Sequence, residues 1–286
     1  MPVDRRPIVE IPERLYKYAP LDVVHKDKRG NQTTGFDAVK DILVNNQIYY
    51  SDPNNFNDPF EFQRVYVTIS EKARNAQIIN SLDDYAKEYK NSPQENDGEI
   101  IETNFNQIFD ELEFNMHMNG NVLNRMGYLS LTTTNDNLLM WAHYADNHKG
   151  VCIKFNGTHK DPFYSKNGVG RIMKVDYGNE LAIVEQNTEN KYITSLVKMS
   201  RKSECWKYEN EYRVFNVSSD IDSTDGQGNH SFNSRLADEV YLGCRATEDT
   251  ESKIIKIIQS TPHKIKLFKM NEKKKPLKLV PEEISF

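Results

Sequence analysis

Hydrophobic and polar positions alternate with two different periods along this chain, and the changes of period mark its elements. "RLYKYAP" (Arg14 to Pro20) alternates as a short strand that proline stops, and the polar run "HKDKRGNQTTG" follows as a loop. Phe36, Val39, Ile42 and Leu43 then recur at helical spacing, "NNQ" ends that helix, and Ile48 to Ser51 reads as a strand. After the turn-rich "DPNNFNDPFEF" comes the strand "RVYVTI". Two amphipathic helices are predicted between residues 70 and 120. Ile78, Leu82, Tyr85 and Tyr89 line the first, with Ser70 as its N-cap; Ile101, Phe105, Ile108, Phe109, Leu112 and Met116 line the second. The linker "NSPQENDGE" between them turns the pair into a helical hairpin, inserted into the chain as a possible lid.

The remainder is mostly strand. Tyr128 to Thr134 alternates, "NDNLLMWAHYADNHKG" is a capped helix with Gly150 at its end, and "VCIKFN" and "VGRIMKVDYG" are strands. A helix around Tyr192 to Met199 leads to "WKYENEYRVF", read as a strand, and Asp220 to Ser231 is the best surface-loop candidate. "EVYLGC" is a strand, Thr247 caps a helix with Glu248, Asp249 and Glu251 in its first turn, and "HKIKLFKM" and "PLKLVP" close the chain as strands. Helices are too few and too irregular for a doubly wound parallel sheet. The fold class is therefore α+β, one domain over residues 1–286 with a mixed or mainly antiparallel sheet and the insertion at 70–120.

Composition narrows the function classes. A chain of 286 residues, 37% hydrophobic and 28% charged, with 15 Tyr and 13 Phe, is a folded protein with an aromatic-heavy core. Its net charge of −5 gives no bulk attraction to nucleic acid or to an anionic membrane, though local basic patches remain open. Cys152, Cys205 and Cys244 are widely spaced, so neither disulfides nor a cysteine zinc site is expected. With no signal-type run and no stretch of about 20 apolar residues, the expectation is a cytoplasmic protein without membrane contact. The common phosphate-loop, zinc-protease and nucleophile-elbow motifs do not occur.

Three constellations can carry chemistry. In "FNDPFE" the bland reading is a turn held by Asn57, Asp58 and Pro59; the sharper one puts Asp58 or Glu61 at a cleft. In the helix after Tyr128 to Thr134, Leu138, Trp141, Ala142 and Ala145 form the buried stripe, with Trp141 also a candidate cleft wall. His143 lies on a separate face, and Tyr144, just off the stripe, could stack on a planar ligand. In "WKYENEYRVF", strand parity sends Glu209, Glu211 and Arg213 one way and Tyr208, Tyr212 and Val214 the other. Paired carboxylates suit a reaction that develops positive charge, and the same residues equally suit a cross-strand charge ladder.

Together, "LYKYAP", "NNQIYYSDPNNFNDPFE", "LSLTTTNDNLLMWAHYADNHKGVCIKFN", "VDYG" and "WKYENEYRVF" resemble the bacterial family catalogued as domain of unknown function 2971, from about Leu15 to Cys244. The order of these parts is more distantly similar to the ADP-ribosyltransferase superfamily. That resemblance implies a split pair of small sheets gripping NAD. It places the catalytic glutamate on Glu211, which would bond the nicotinamide-ribose 2′-hydroxyl, and gives Glu209 the acceptor. Ser130 and Thr132 would prop the glutamate, Tyr144 would stack on nicotinamide beside His143, and Tyr16 or Lys17 would hold the first-strand position. There the superfamily offers Arg or His, and Lys17 supplies the charge without a guanidinium's bidentate geometry.

The resulting expectation is an ADP-ribosyltransferase-like enzyme that uses NAD and an unknown macromolecular acceptor, as a bacterial toxin or phage-defence effector. Two rivals stand beside it. One is a hydrolase or nuclease with Asp58, Glu61 and Glu211 around a divalent ion; the other is a non-catalytic module that senses a ligand or a phage protein.

Overall fold

The computed structural model describes residues 12–26, 32–53, 58, 66–69, 126–156, 171–180, 183–186, 200–217, 227–232 and 236–286. Asn57, Glu61, the helical hairpin expected at 70–120 and the helix expected at 192–199 lie outside them. The chain divides into two compact units, one made of Met1–Phe56, Asn124–Val175 and Cys205–Phe286, the other of Asn57–Leu123 and Asp176–Glu204.

The strands in chain order are β1 (Arg14–Ala19), β2 (Val24–Lys26), β3 (Gln32–Thr34), β4 (Gln47–Tyr50), β5 (Tyr66–Ile69), β6 (Met126–Thr132), β7 (Val151–Asn156), β8 (Arg171–Lys174), β9 (Asp176–Tyr177), β10 (Ile183–Gln186), β11 (Arg201–Lys202), β12 (Glu211–Val217), β13 (Gly228–Ser231), β14 (Ala237–Leu242), β15 (Lys266–Lys274) and β16 (Leu277–Ile284). Helices α1 (Gly35–Lys40), α2 (Leu138–Tyr144) and α3 (Glu248–Gln259) accompany them, with a π-helix at Asp41–Asn45 and a 3-10 helix at Glu204–Glu209.

In the first unit eight strands form one open sheet in the order β16-β15-β14-β7-β1-β6-β12-β8. All neighbours run antiparallel except β14 and β15, which α3 joins as a parallel crossover. Among the described residues the fold is thus mixed α/β with a mainly antiparallel open sheet and few helices. The split pair of sheets is corrected here: β1 hydrogen-bonds both β6 and β7, and that bridging strand makes the two halves continuous. The second unit contains the parallel pairs β5/β10 and β9/β11. Among the described residues no helix is long and apolar enough to cross a membrane.

Period-two alternation gives the large sheet two different faces. Leu15, Leu129, Leu131, Ile153, Phe155, Val214, Val240 and Leu267 share a core with Val39, Ile42 and Leu43 of α1 and the π-helix and with Ile254 and Ile258 of α3. Tyr16, Tyr18, Cys152, Tyr241 and Met270 share a second core with Met140, Trp141 and Ala145 of α2. Thr34 and Thr247 cap α1 and α3 through their hydroxyls, so two of the helix starts follow directly from local sequence. The loop expected at Asp220 to Ser231 ends differently, because Gly228–Ser231 pairs with β4.

Candidate functional site

Helix α2 lies against the second face of the sheet. Its buried stripe is Met140, Trp141 and Ala145, while Leu138, expected inside, is 49% exposed. Asn137 is the N-cap, accepting hydrogen bonds from the Leu139 and Met140 amides, and Leu138 is therefore the first residue of the helix. Trp141 is core and not a cleft wall: it is wholly buried, meets the Tyr18 ring edge-on at 5.1 Å, and donates its indole N–H to the Asn135 carbonyl.

The helix stops at Ala145, well before Gly150. Asp146, Asn147 and His148 follow with φ of 45°, 52° and 71°, three consecutive left-handed residues that reverse the chain into β7. Gly150 is needed for close approach and not as the helix cap, since a Cβ there would stand 2.3 Å from the Ala19 carbonyl oxygen.

"WKYENEYRVF" is also not one strand. Glu204–Glu209 is a 3-10 helix, Asn210 takes φ 43°, and β12 begins at Glu211. Asparagine tolerates this left-handed break, which removes Tyr208 and Glu209 from the strand parity. Glu209 and Glu211 therefore have different neighbours. Glu211 and Arg213 do share a face of β12: Arg213 donates from Nε to Oε1 and from Nη2 to Oε2, both at 2.9 Å. Arg213 is fully buried and Glu211 is 4% exposed. This is a bidentate pair inside the protein and not an exposed charge ladder.

The flanking strands align with that pair. Thr132 of β6 stands opposite Glu211, Ser130 opposite Arg213, and Tyr16 of β1 opposite Thr132. Ser130 and Thr132 thus lie on the strand next to Glu211 and Arg213. Lys17 alternates with Tyr16 and Tyr18 and so leaves the other face with Leu15 and Ala19. Burial pushes its amine down to about 8, with the Glu211 charge opposing. Lys17 is protonated in both folded and unfolded states below that value, so its burial is least favourable to folding there. Replacing it with methionine is expected to raise stability at neutral pH, with the gain shrinking as pH rises from about 8 to 10.5, as urea unfolding across that range would read.

Glu209, 3% exposed, accepts a hydrogen bond of 2.5 Å from the Tyr144 hydroxyl. Around it α2 and the 3-10 helix are tied twice more: the Asn137 amide donates to the Tyr208 carbonyl at 2.8 Å, and His143 Nδ1 lies 2.9 Å from the Tyr208 hydroxyl. His143 is exposed; Tyr144, Trp206 and Tyr208 are half-buried. The structure therefore gathers the buried Glu209, the half-buried Tyr144 and the exposed His143 at one polar and aromatic surface, and Glu211, Ser130, Thr132 and Tyr16 in a row across three strands. Asp58 is buried and belongs to the second unit.

Residues 140–214 match the family DUF2971, described as a protein of unknown function. The matched segment holds Tyr144, Glu209, Glu211 and Arg213, and leaves Tyr16, Ser130 and Thr132 outside. No curated protein and no solved structure matches the chain.

Asn137 and Tyr208 were missed as members of this surface. An asparagine just ahead of "LLMW" is an N-cap signal that could have found the first. A further polar group, Lys154 with Asp238 at 3.3 Å and Glu239 at 2.7 Å, continues the row from Tyr16 across β7 and β14. Tyr241 also donates to Glu239. Among the described residues no three His, Cys, Asp or Glu side chains gather as metal ligands.

Proposed function

We propose that the chain is an ADP-ribosyltransferase-like enzyme that uses NAD, with Glu209 as its reacting carboxylate and Glu211 as the anchor that holds Arg213. The observation that carries this reading is the Tyr144–Glu209 hydrogen bond, which sets one carboxylate among His143, Tyr208 and Trp206. Aromatic rings there would take the planar nicotinamide, and Glu209 would accept from the ribose 2′-hydroxyl. The C1′–nicotinamide bond would then break with its electron pair leaving on nicotinamide. The carboxylate would stabilise the oxocarbenium until the acceptor bonds C1′ and loses its proton. This exchanges the roles that the resemblance implied for the two glutamates. The reason is that both oxygens of Glu211 are engaged by Arg213.

The same engagement weighs against the metal-dependent hydrolase, whose ion would need those oxygens. It favours a second reading, a ligand-sensing module with Glu211 purely structural.

Nicotinamide release from NAD decides between them. Glu209→Gln is expected to lower it by roughly 100-fold, the scale of losing one transition-state electrostatic contact. Unchanged release in Glu209→Gln would sink the assignment, and NAD binding without any release by the parent protein would establish the sensing module.

A further inference from the structure

β15 and β16 form a hairpin at one margin of the large sheet, and its distal half leaves the sheet. β15 pairs with β14 from Lys266 to Lys269; from Met270 to Lys274 its register partners are Pro281 to Leu277 of β16. All seven residues from Glu272 to Lys278 are exposed, and Leu277 is 81% exposed. This ribbon tip carries Lys273, Lys274, Lys275 and Lys278 on a chain whose net charge is −5.

The fold does not explain that charge. Lys273 stands directly opposite Lys278, a like-charge cross-strand pair that weakens a hairpin. Lysines that guard a sheet edge against aggregation would be spread along β16. Here that strand carries Lys278 near the tip and Glu282 and Glu283 further back.

Strand parity shows what such a tip fits. Lys273 and Lys278 leave one face of the ribbon and Lys274 and Leu277 the other, with Lys275 in the turn between the strands. Both faces of the tip therefore carry lysine, and the one acid among its seven residues, Glu272, lies on the Lys274 face back toward Cys244. A flat anionic bilayer would engage one face, and a single exposed leucine is too little apolar surface to hold an anchor there. A channel with phosphates on both walls engages both. The major groove of B-form DNA is about 12 Å wide and admits a two-stranded ribbon, whereas the A-form RNA major groove is too narrow.

We propose that the β15–β16 ribbon tip is a sequence-independent binding site for B-form duplex DNA, with Lys273, Lys274, Lys275 and Lys278 as its phosphate contacts. It is separate from the Glu209 surface and does not depend on that reading. The probe is a fluorescein-labelled, mixed-sequence DNA duplex titrated with the full chain at low salt and followed by anisotropy. Binding is expected, with log affinity falling against log salt at a slope of about −3 to −4, near −0.9 per neutralised phosphate. Replacing all four lysines with glutamine should weaken binding at least tenfold. Lys278→Gln alone should reduce the slope by about one unit, which keeps the test open if the fourfold variant does not fold. The conservative control Lys253→Gln, on α3, should change nothing.

Absence of duplex binding at low salt, or binding unaffected by the lysine variants, would overturn the proposal. Equal or tighter binding to phosphatidylserine vesicles would assign the tip to membranes instead, and equal binding to duplex RNA would overturn the groove argument.

Discussion

Replacing Arg213 with methionine is expected to lower folding stability by about 3–5 kcal/mol, the scale for removing one partner of a buried ion pair. The fully buried guanidinium now neutralises a carboxylate that is 4% exposed, and the two hydrogen bonds of 2.9 Å satisfy both of its oxygens. Methionine fills much of the space but leaves Glu211 charged and without those donors between β6 and β8. A desolvated charge of that kind is far more unfavourable than a lost surface contact, which would amount to less than about 1 kcal/mol. Urea unfolding followed by circular dichroism measures the loss. The double variant Glu211→Gln with Arg213→Met should recover most of it, since no net charge then remains buried. A double variant as unstable as the single one would show that Arg213 is held for its packing and not for its charge.

Trp141→Ala is expected to destabilise by about 3–5 kcal/mol, the range for deleting a large buried aromatic side chain. Trp141 heads the fully buried side chains by volume, and its loss removes the edge contact with Tyr18 as well as the donor to the Asn135 carbonyl. Alanine leaves a cavity under α2 and frees the helix that presents Tyr144. The chain has two tryptophans, so Trp206 remains as a fluorescent reporter in the variant. A loss under about 1 kcal/mol in thermal or urea unfolding would mean that α2 collapses onto β1 and refills the space.

What could be read from the sequence depended on whether a residue's role is local. The alternation in "RLYKYA", "VCIKFN" and "EVYLGC" placed β1, β7 and β14, because the pleat imposes period two on any half-buried strand. Thr247 and the acids after it marked α3 for the same local reason. The "ENE" pair was misread because one residue, Asn210, adopts a left-handed conformation, and a single such break shifts every later side chain relative to the earlier ones. The three left-handed residues after Ala145 were likewise hidden, since "DNHKG" carries its glycine beyond the turn. Lateral order left the weakest trace. The continuity of the sheet depends on β1 pairing on both sides, and nothing in "LYKYA" records which strands will flank it.

That central position of β1 bears on how the molecule is made. It is synthesised before every other strand of the sheet, yet its partners β6 and β7 follow only after the whole 57–123 segment has been translated. A nascent chain therefore carries an apolar strand with two vacant hydrogen-bonding edges through that interval, the condition that favours chaperone capture or mispairing. Its insertion closes long loops and is slow by topology. The β15–β16 hairpin, whose contacts are local, can form as soon as it emerges, so the latest strands of the sheet can pair at once while its earliest must wait.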